Sequence, residues 1–122
     1  MNIVTASTTA RDITFKFGAN YGTITESQYE LQIKENGAIR FLGDSEITFT
    51  SVVQPVAPTY DVDGNLTNTP SEGSMVASIA FTNEAIYSVS LLKNTSTYNK
   101  PLVTFTVKAI NPVTAITART IQ

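Results

Sequence analysis

The feature of this chain that most restricts its fold is a period of two in the apolar residues, which recurs between turn signals along most of its length. Ile13, Phe15 and Phe17 alternate with Thr14 and Lys16, and Tyr29, Leu31 and Ile33 alternate with Glu30, Gln32 and Lys34. Successive side chains of an extended strand point to opposite faces, so each segment has one greasy and one wet side, as a half-buried strand requires. The pattern resumes at Ile39 and Phe41, at Ile47, Phe49 and Val53, and through Met75, Ala77, Ile79 and Phe81. Ala85, Tyr87, Val89 and Leu91 continue it, then Leu102 to Ile110, and Val113 to Ile121 after Asn111-Pro112. A short strand near Ile3 completes the set. No interval holds the helix of roughly 10 to 15 residues that a crossover between parallel strands needs. The spacing therefore predicts an all-β fold: a single antiparallel β-sandwich of about eight strands, Ig-like or jelly-roll-like, over residues 1–122. One domain suits the 122 residues, because one core serves roughly 100 to 150.

Register follows from the same alternation. A two-residue Asn36-Gly37 loop would set Ile33 opposite Arg40 and mix core with solvent residues on one face. A three-residue loop, Glu35-Asn36-Gly37 with Gly37 left-handed, pairs Ile33 with Ile39, Leu31 with Phe41 and Gln32 with Arg40, and is the expected register. Likewise a second hairpin is expected through Thr82-Asn83-Glu84, with Ala85, Tyr87, Val89 and Leu91 answering Met75, Ala77, Ile79 and Phe81. β-branching and the run Ile86 to Ser90 argue against a helix there.

Residues 54–73 break the rhythm. Pro55, Pro58, Pro70 and Gly73 punctuate a connection too long for a small domain unless it has a role of its own. Asp63-Gly64 supplies a tight turn, so the segment is expected to project as a hairpin arm. A two-residue loop sets Tyr60 across from Thr67 and Asp61 across from Leu66, with Tyr60 and Val62 on one face of the ribbon and Leu66 on the other. Tyr60, Val62 and Leu66 lie outside the periodic core faces and need another surface, which makes them the candidate interaction residues. The competing reading folds the arm back over its own sandwich.

Composition removes whole classes of function. There is no Cys and no His, hence no disulfide frame, no Cys/His zinc site, no Cys nucleophile and no imidazole base. Eight basic and ten acidic residues leave a net charge of −2, which does not suit phosphate neutralisation, so no direct nucleic-acid contact is expected. No stretch approaches a membrane span, and the N-terminus lacks the apolar run of a secretory signal. Asp44 with Glu46, and Glu26 with Glu30, are the carboxylate pairs closest in sequence, and turn-like or solvent-facing positions mark them as solvated charge. Asp61, Asp63, Asn65 and Glu72 approximate calcium-loop spacing, but Leu66 stands where a glycine is required. The stretch Tyr60-Asp61 with Gly64-Asn65-Leu66-Thr67 resembles one unit of the tyrosine-aspartate repeats of large toxin shells, although one copy makes no array. No catalytic, cofactor-binding or metal-binding residue is assigned, no cofactor is expected, and the chain is not expected to be an enzyme. Tyr21, Tyr29, Tyr60, Tyr87 and Tyr98 could offer rings to a sugar, without any Trp, and carry the rival reading of a carbohydrate-binding or adhesion domain.

Charged residues make up only 15% of the chain, and the polar strand positions are written in Thr and Ser: Thr48, Thr50, Ser78, Ser88, Ser90, Thr104 and Thr106 among them. A hydroxyl is cheaper to cover than a charge, and lysines thin enough to leave strand edges unguarded point the same way, toward life in an assembly. The whole chain, with Met1, the extended Ala6-Ser7-Thr8-Thr9 start, the missing Cys and His, and a β-domain with a projecting loop, resembles the small β-sandwich virion proteins of tailed bacteriophages. That resemblance implies a capsid decoration or head-auxiliary protein that clamps and reinforces the shell, or a tail-associated or adaptor subunit. It implies major capsid or tail subunits as partners, self-association, synthesis in the host cytoplasm and residence in the virion.

Overall fold

The computed structural model describes residues 1–40, 47–94, 97–111 and 120. Its strands are β1 (Asn2–Thr5), β2 (Arg11–Phe17), β3 (Tyr29–Glu35), β4 (Ala38–Arg40), β5 (Ile47–Val53), β6 (Gly73–Ile79), β7 (Ala85–Asn94) and β8 (Asn99–Ile110), with one short 3-10 turn at Glu26–Gln28. They form two sheets, one in the order β1-β8-β7-β3-β4 and one in the order β2-β6-β5. Their apolar faces meet in a single core of Phe15 and Phe17 from β2, Met75, Ala77 and Ile79 from β6, Tyr29 and Ile33 from β3, and the inward faces of β7 and β8. Aromatic rings bridge the sheets: Phe15 lies 6.2 Å from Phe105, and Phe17 meets Tyr29 edge-on at 5.8 Å. The all-β, two-sheet packing expected from the alternation is present. The pairings are antiparallel except for β1 beside β8, which run parallel, so the sandwich is mixed where a wholly antiparallel one was expected. Apart from Thr120, the expected strand from Val113 to Ile121 lies outside the described residues, as does the partner position Phe41.

The expected second hairpin is absent. Met75, Ala77, Ile79, Phe81, Ala85, Tyr87, Val89 and Leu91 are all buried, as the alternation required, but β6 and β7 belong to different sheets and face one another across the core. β6 pairs with β2 and β5, whereas β7 pairs with β3 and β8. Period two gives each strand one apolar face and is silent on whether the next strand lies beside it or opposite it. The crossing at residues 80–84 is fastened by Tyr87. Its hydroxyl accepts the Asn83 N–H at 3.1 Å and donates to the Glu35 carboxylate at 2.8 Å, while the Asn83 side-chain amide donates to the same carboxylate oxygen at 2.8 Å. Glu35 and Tyr87 are directly opposed across β3 and β7. The Asn83 amide first, and then the Tyr87 hydroxyl, hold the Glu35 carboxyl below the ordinary glutamate range, while burial before all else raises the Tyr87 phenol.

The β3–β4 hairpin takes the register that alternation had rejected: Ile33 opposes Arg40, Lys34 opposes Ile39 and Glu35 opposes Ala38. Asn36 and Gly37 alone form the loop, with φ of 49° and 85°. Two consecutive positive φ values make the tight turn whose twist matches its strands, and Asn-Gly is the dipeptide that adopts it most readily. The turn is also tied sideways, because the Asn36 N–H donates to the Ile86 carbonyl at 2.8 Å and the Ile86 N–H to Asn36 Oδ1 at 3.0 Å. In exchange Ile39 is left 59% exposed on a three-residue edge strand, and Arg40 comes onto the Glu35 side, where its charge favours that carboxylate. One exposed isoleucine is an ordinary surface feature. β5 departs from its pattern as well: a bulge between Phe49 and Ser51 turns Val52 toward the core and leaves Val53, expected beside Phe49, exposed.

Two outcomes follow. Gly37→Ala adds a Cβ that meets nothing within 4 Å, so its cost is the backbone strain of positive φ alone, and urea unfolding is expected to show a loss of about 1 kcal/mol. Because the folded Glu35 carboxyl ionises at lower pH than the unfolded one, its stabilisation is complete above the unfolded value and disappears as pH falls through the folded one. Glu35→Gln is therefore expected to flatten the acid limb of a stability-against-pH curve, and an unchanged limb would remove Glu35 from the corner.

Candidate interaction surface: an exposed arm and the open flank of the sandwich

Between β5 and β6 the chain forms the expected projecting ribbon. Val56 and Ser71 exchange both backbone hydrogen bonds at its base, at 2.9 and 3.0 Å. Further out Asn68 clamps the two limbs, accepting the Thr59 N–H at 2.9 Å and donating to the Ala57 carbonyl at 2.8 Å, and the Thr59 and Thr67 hydroxyls meet at 2.6 Å. At the tip the Gly64 N–H donates to the Asp61 carbonyl and the Asp61 N–H to the Asn65 carbonyl, which makes a three-residue loop of Val62, Asp63 and Gly64, with Gly64 at φ 84°. The two-residue loop expected here is corrected by one position. Asp-Gly permits both geometries, and the Asp61 side chain selects the longer one by accepting the Asp63 and Asn65 N–H groups, each at 2.9 Å. Hydrogen bonds from the backbone, that of Asn65 above all, hold the Asp61 carboxyl below the ordinary aspartate range.

The shifted register changes which candidate residues meet. Tyr60 opposes Leu66 rather than Thr67. Hydrogen bonds flank this pair without joining it, which is the closer kind of cross-strand neighbour, so Tyr60 and Leu66 share one face of the ribbon instead of lying on opposite faces. Val62 stands at the apex. Their exposures are 62% for Tyr60, 52% for Leu66 and 102% for Val62, and no arm residue belongs to the core cluster, so the arm does not fold back over its own sandwich.

The arm's root is tightly fitted. A Cβ built on Gly73 would lie 2.6 Å from Pro55 Cδ and 2.9 Å from the Val53 carbonyl oxygen, so only glycine lets the two limbs leave the sheet so close together. Beside it the Gln54 amide closes a two-way bridge with the backbone of Ile24, accepting its N–H at 2.7 Å and donating to its carbonyl at 2.8 Å.

The alternation did not disclose a second feature, the flank between β2 and β8, which is open among the described residues. Two hollows of about 460 and 350 Å³ share the Phe105 ring there, one lined by Phe17, Tyr21, Leu102 and Val103 and the other by Ile3, Ile13 and Val107. A bulge near Leu102 turns both it and Val103 toward the first hollow, and the adjacent apolar pair in an otherwise alternating strand was its one sequence signal. Tyr21 forms one wall. Its ring lies 4.8 Å from Phe17, and its hydroxyl meets that of Tyr29 at 2.7 Å. Lys93 lies 5.6 Å from the Tyr21 ring centre and 5.8 Å from that of Tyr29, a cation held over two aromatic rings. Burial before all else, then the bond to Tyr21, raises the Tyr29 phenol far above its ordinary range. Lys93 directly opposes Lys100 across β7 and β8.

The remaining sequence candidates scatter. Tyr29 and Tyr87 are buried, while Tyr21, Tyr60 and Tyr98 are exposed on the flank, the arm and the β7–β8 connection, so the five tyrosines form no common platform. Glu26 and Glu30 are exposed, and Asp44 and Glu46 lie outside the described residues. Among the described residues no group of three acidic side chains is gathered to hold a metal ion.

Gly73→Ala is expected to destabilise the domain and disturb the arm's root, seen as a lower urea midpoint with shifted signals for Val53 and Pro55. Replacing residues 59–68 by a short Gly/Ser link is expected to leave circular dichroism and cooperative unfolding intact, because none of them packs in the core. Unfolding of the shortened chain would make the arm part of the core after all.

Protein-family models, curated proteins and solved structures were all compared with this chain and none matches it.

Proposed function

We propose that the protein is a non-enzymatic structural subunit of a tailed-phage virion, a capsid accessory protein that docks on the shell lattice and reinforces it. The observation that carries this reading is the arm: a hydrogen-bonded ribbon outside the core that holds Tyr60, Val62 and Leu66 out in solvent. Exposed apolar groups on a pre-ordered projection lose little entropy on docking, which is what a clamp between neighbouring subunits requires. The outer face of the larger sheet supports it. Gln32, Ser90 and Thr104 form one uncharged row across β3, β7 and β8, with the Ser90 and Thr104 hydroxyls 2.8 Å apart. Such a row can be covered without desolvating a charge, with Glu30 and Lys34 on the same face left at its margins.

Within this reading the scaffold is an Ig-like sandwich of eight strands rather than a jelly roll. Support comes from strand order, since β8-β7-β3-β4 against β2-β6-β5 follows the order G-F-C-C′ against B-E-D of an Ig variable-type domain. Tyr87 supports it too, because its hydroxyl bonds back to Asn83 at the corner between the strands equivalent to E and F. The buried Trp and inter-sheet disulfide of antibody domains have no counterpart, as the chain has neither residue type.

The test is sedimentation of the native protein from lysates of the cells that produce it. It is expected to travel with large particles, and removal of residues 59–68 is expected to shift it to the free pool. Purified virions in which mass spectrometry finds no copy of the chain would overturn the proposal.

A further inference from the structure

Arm and groove are complementary, and a single molecule leaves both unsatisfied. The arm tip offers Tyr60, Val62 and Leu66 to solvent with Asp61 and Asp63 between them. The hollow walled by Phe17, Tyr21, Leu102 and Val103 is mostly apolar, with Thr14 and Lys16 also on its lining, and Tyr21, Leu102 and Val103 on its rim remain exposed. Its volume of about 460 Å³ lies within the range of roughly 300 to 1,000 Å³ that admits a small ligand, enough for the side chains of a loop apex. Beside the hollow Lys93, over the Tyr21 ring of the groove wall, directly opposes Lys100 across two strands, and like charges in that position repel. An anionic group arriving between them would turn this repulsion into attraction, and Asp63 at the arm apex is such a group. Both features also lie at one end of the sandwich, since Gly73 at the arm's root pairs with Phe17 in the groove wall.

From this geometry we infer that two copies of the chain clasp reciprocally, the arm of each seated in the β2–β8 groove of the other with Asp63 directed at the partner's lysine pair. A knob and a hollow at the same end of one molecule allow a closed two-fold pair in which both contacts form at once. The inference deepens the assembly reading by naming a second copy as the arm's partner. Leu102 and Val103 thereby gain a role beyond filling the flank, and the opposed lysines gain a counter-charge.

Sedimentation velocity of the full chain, from low to high micromolar concentration, tests it. The wild type is expected to pass from monomer to dimer. Val62→Asp at the fully exposed apex and Leu102→Arg at the groove rim are each expected to weaken the dimer by about tenfold or more, as loss of an anchor from a desolvated pocket does. Asp63→Lys and Lys100→Glu are each expected to weaken it, and their combination in one chain to restore it, because the reversed charges attract again. Cooperative unfolding of each variant, measured alongside, separates lost association from lost structure. A wild type that stays monomeric at every concentration, or a double variant no better than the single ones, overturns the clasp. The two readings fail separately: a monomer that still enters particles defeats the clasp alone, and a clasped dimer absent from every particle defeats the virion role alone.

Discussion

The corner at Tyr87 is the contact on which the arrangement depends. Between β6 and β7 the chain leaves one sheet and enters the other, so the sheets are joined there by a few residues that must turn without the help of a ladder. One phenol, one carboxylate and one amide hold that turn. Tyr87 buries its ring against Phe81 at 5.0 Å and brings its hydroxyl to Asn83 and Glu35. Glu35 ends β3, so the node also ties the crossing to the neighbouring strand, and Asn36 fastens the next turn to Ile86. A polar group at the rim of a core is costly unless satisfied, and here each member satisfies another.

The sheets joined there are unequal. Among the described residues five strands on one side face three on the other, and because β1 joins β8 rather than β2, none of these strands closes the flank between β2 and β8. The bulge near Leu102 widens the opening by presenting adjacent apolar side chains where a regular strand would present one. On the opposite side of β6 the insertion between β5 and β6 springs from Gly73, whose missing side chain lets the two limbs separate from the sheet at close quarters.

The uncharged outer row of Gln32, Ser90 and Thr104 fits that arrangement. Hydroxyl pairs such as Ser90 with Thr104 satisfy one another and present neither a strong field nor a large apolar patch. In the proposed reading, specific attachment falls to the arm, the groove and the lysines beside it, where exposed apolar groups and the opposed charges of Lys93 and Lys100 lie.

The sequence by itself determined most of the buried faces, with Ile39 and Val53 on the same pattern left exposed. Period two placed Phe15, Phe17, Tyr29, Ile33, Met75, Ala77, Ile79, Phe81, Ala85, Tyr87, Val89 and Leu91 inward, and all are core, because alternation is a local consequence of the pleat. The punctuation of 54–73 likewise marked an arm, and Tyr60, Val62 and Leu66 as its exposed apolar groups. Pairing was a different matter. Alternation could not tell a hairpin from a crossing at 82–84, since either buries the same faces, and there the Tyr87 corner decided. Loop lengths also escaped it: Asn36-Gly37 accepted the two-residue turn that hydrophobic register opposed, and the Asp61 side chain lengthened the loop at Asp63-Gly64. At the first turn the twist of Asn-Gly and the bond from the Ile86 N–H to Asn36 outweighed the burial of Ile39, and at the second the Asp61 bonds to the Asp63 and Asn65 N–H groups set the loop length. Only the tertiary structure brought β2 opposite β8, and with them the groove, because its walls come from strands that neither follow one another in sequence nor pair in a sheet.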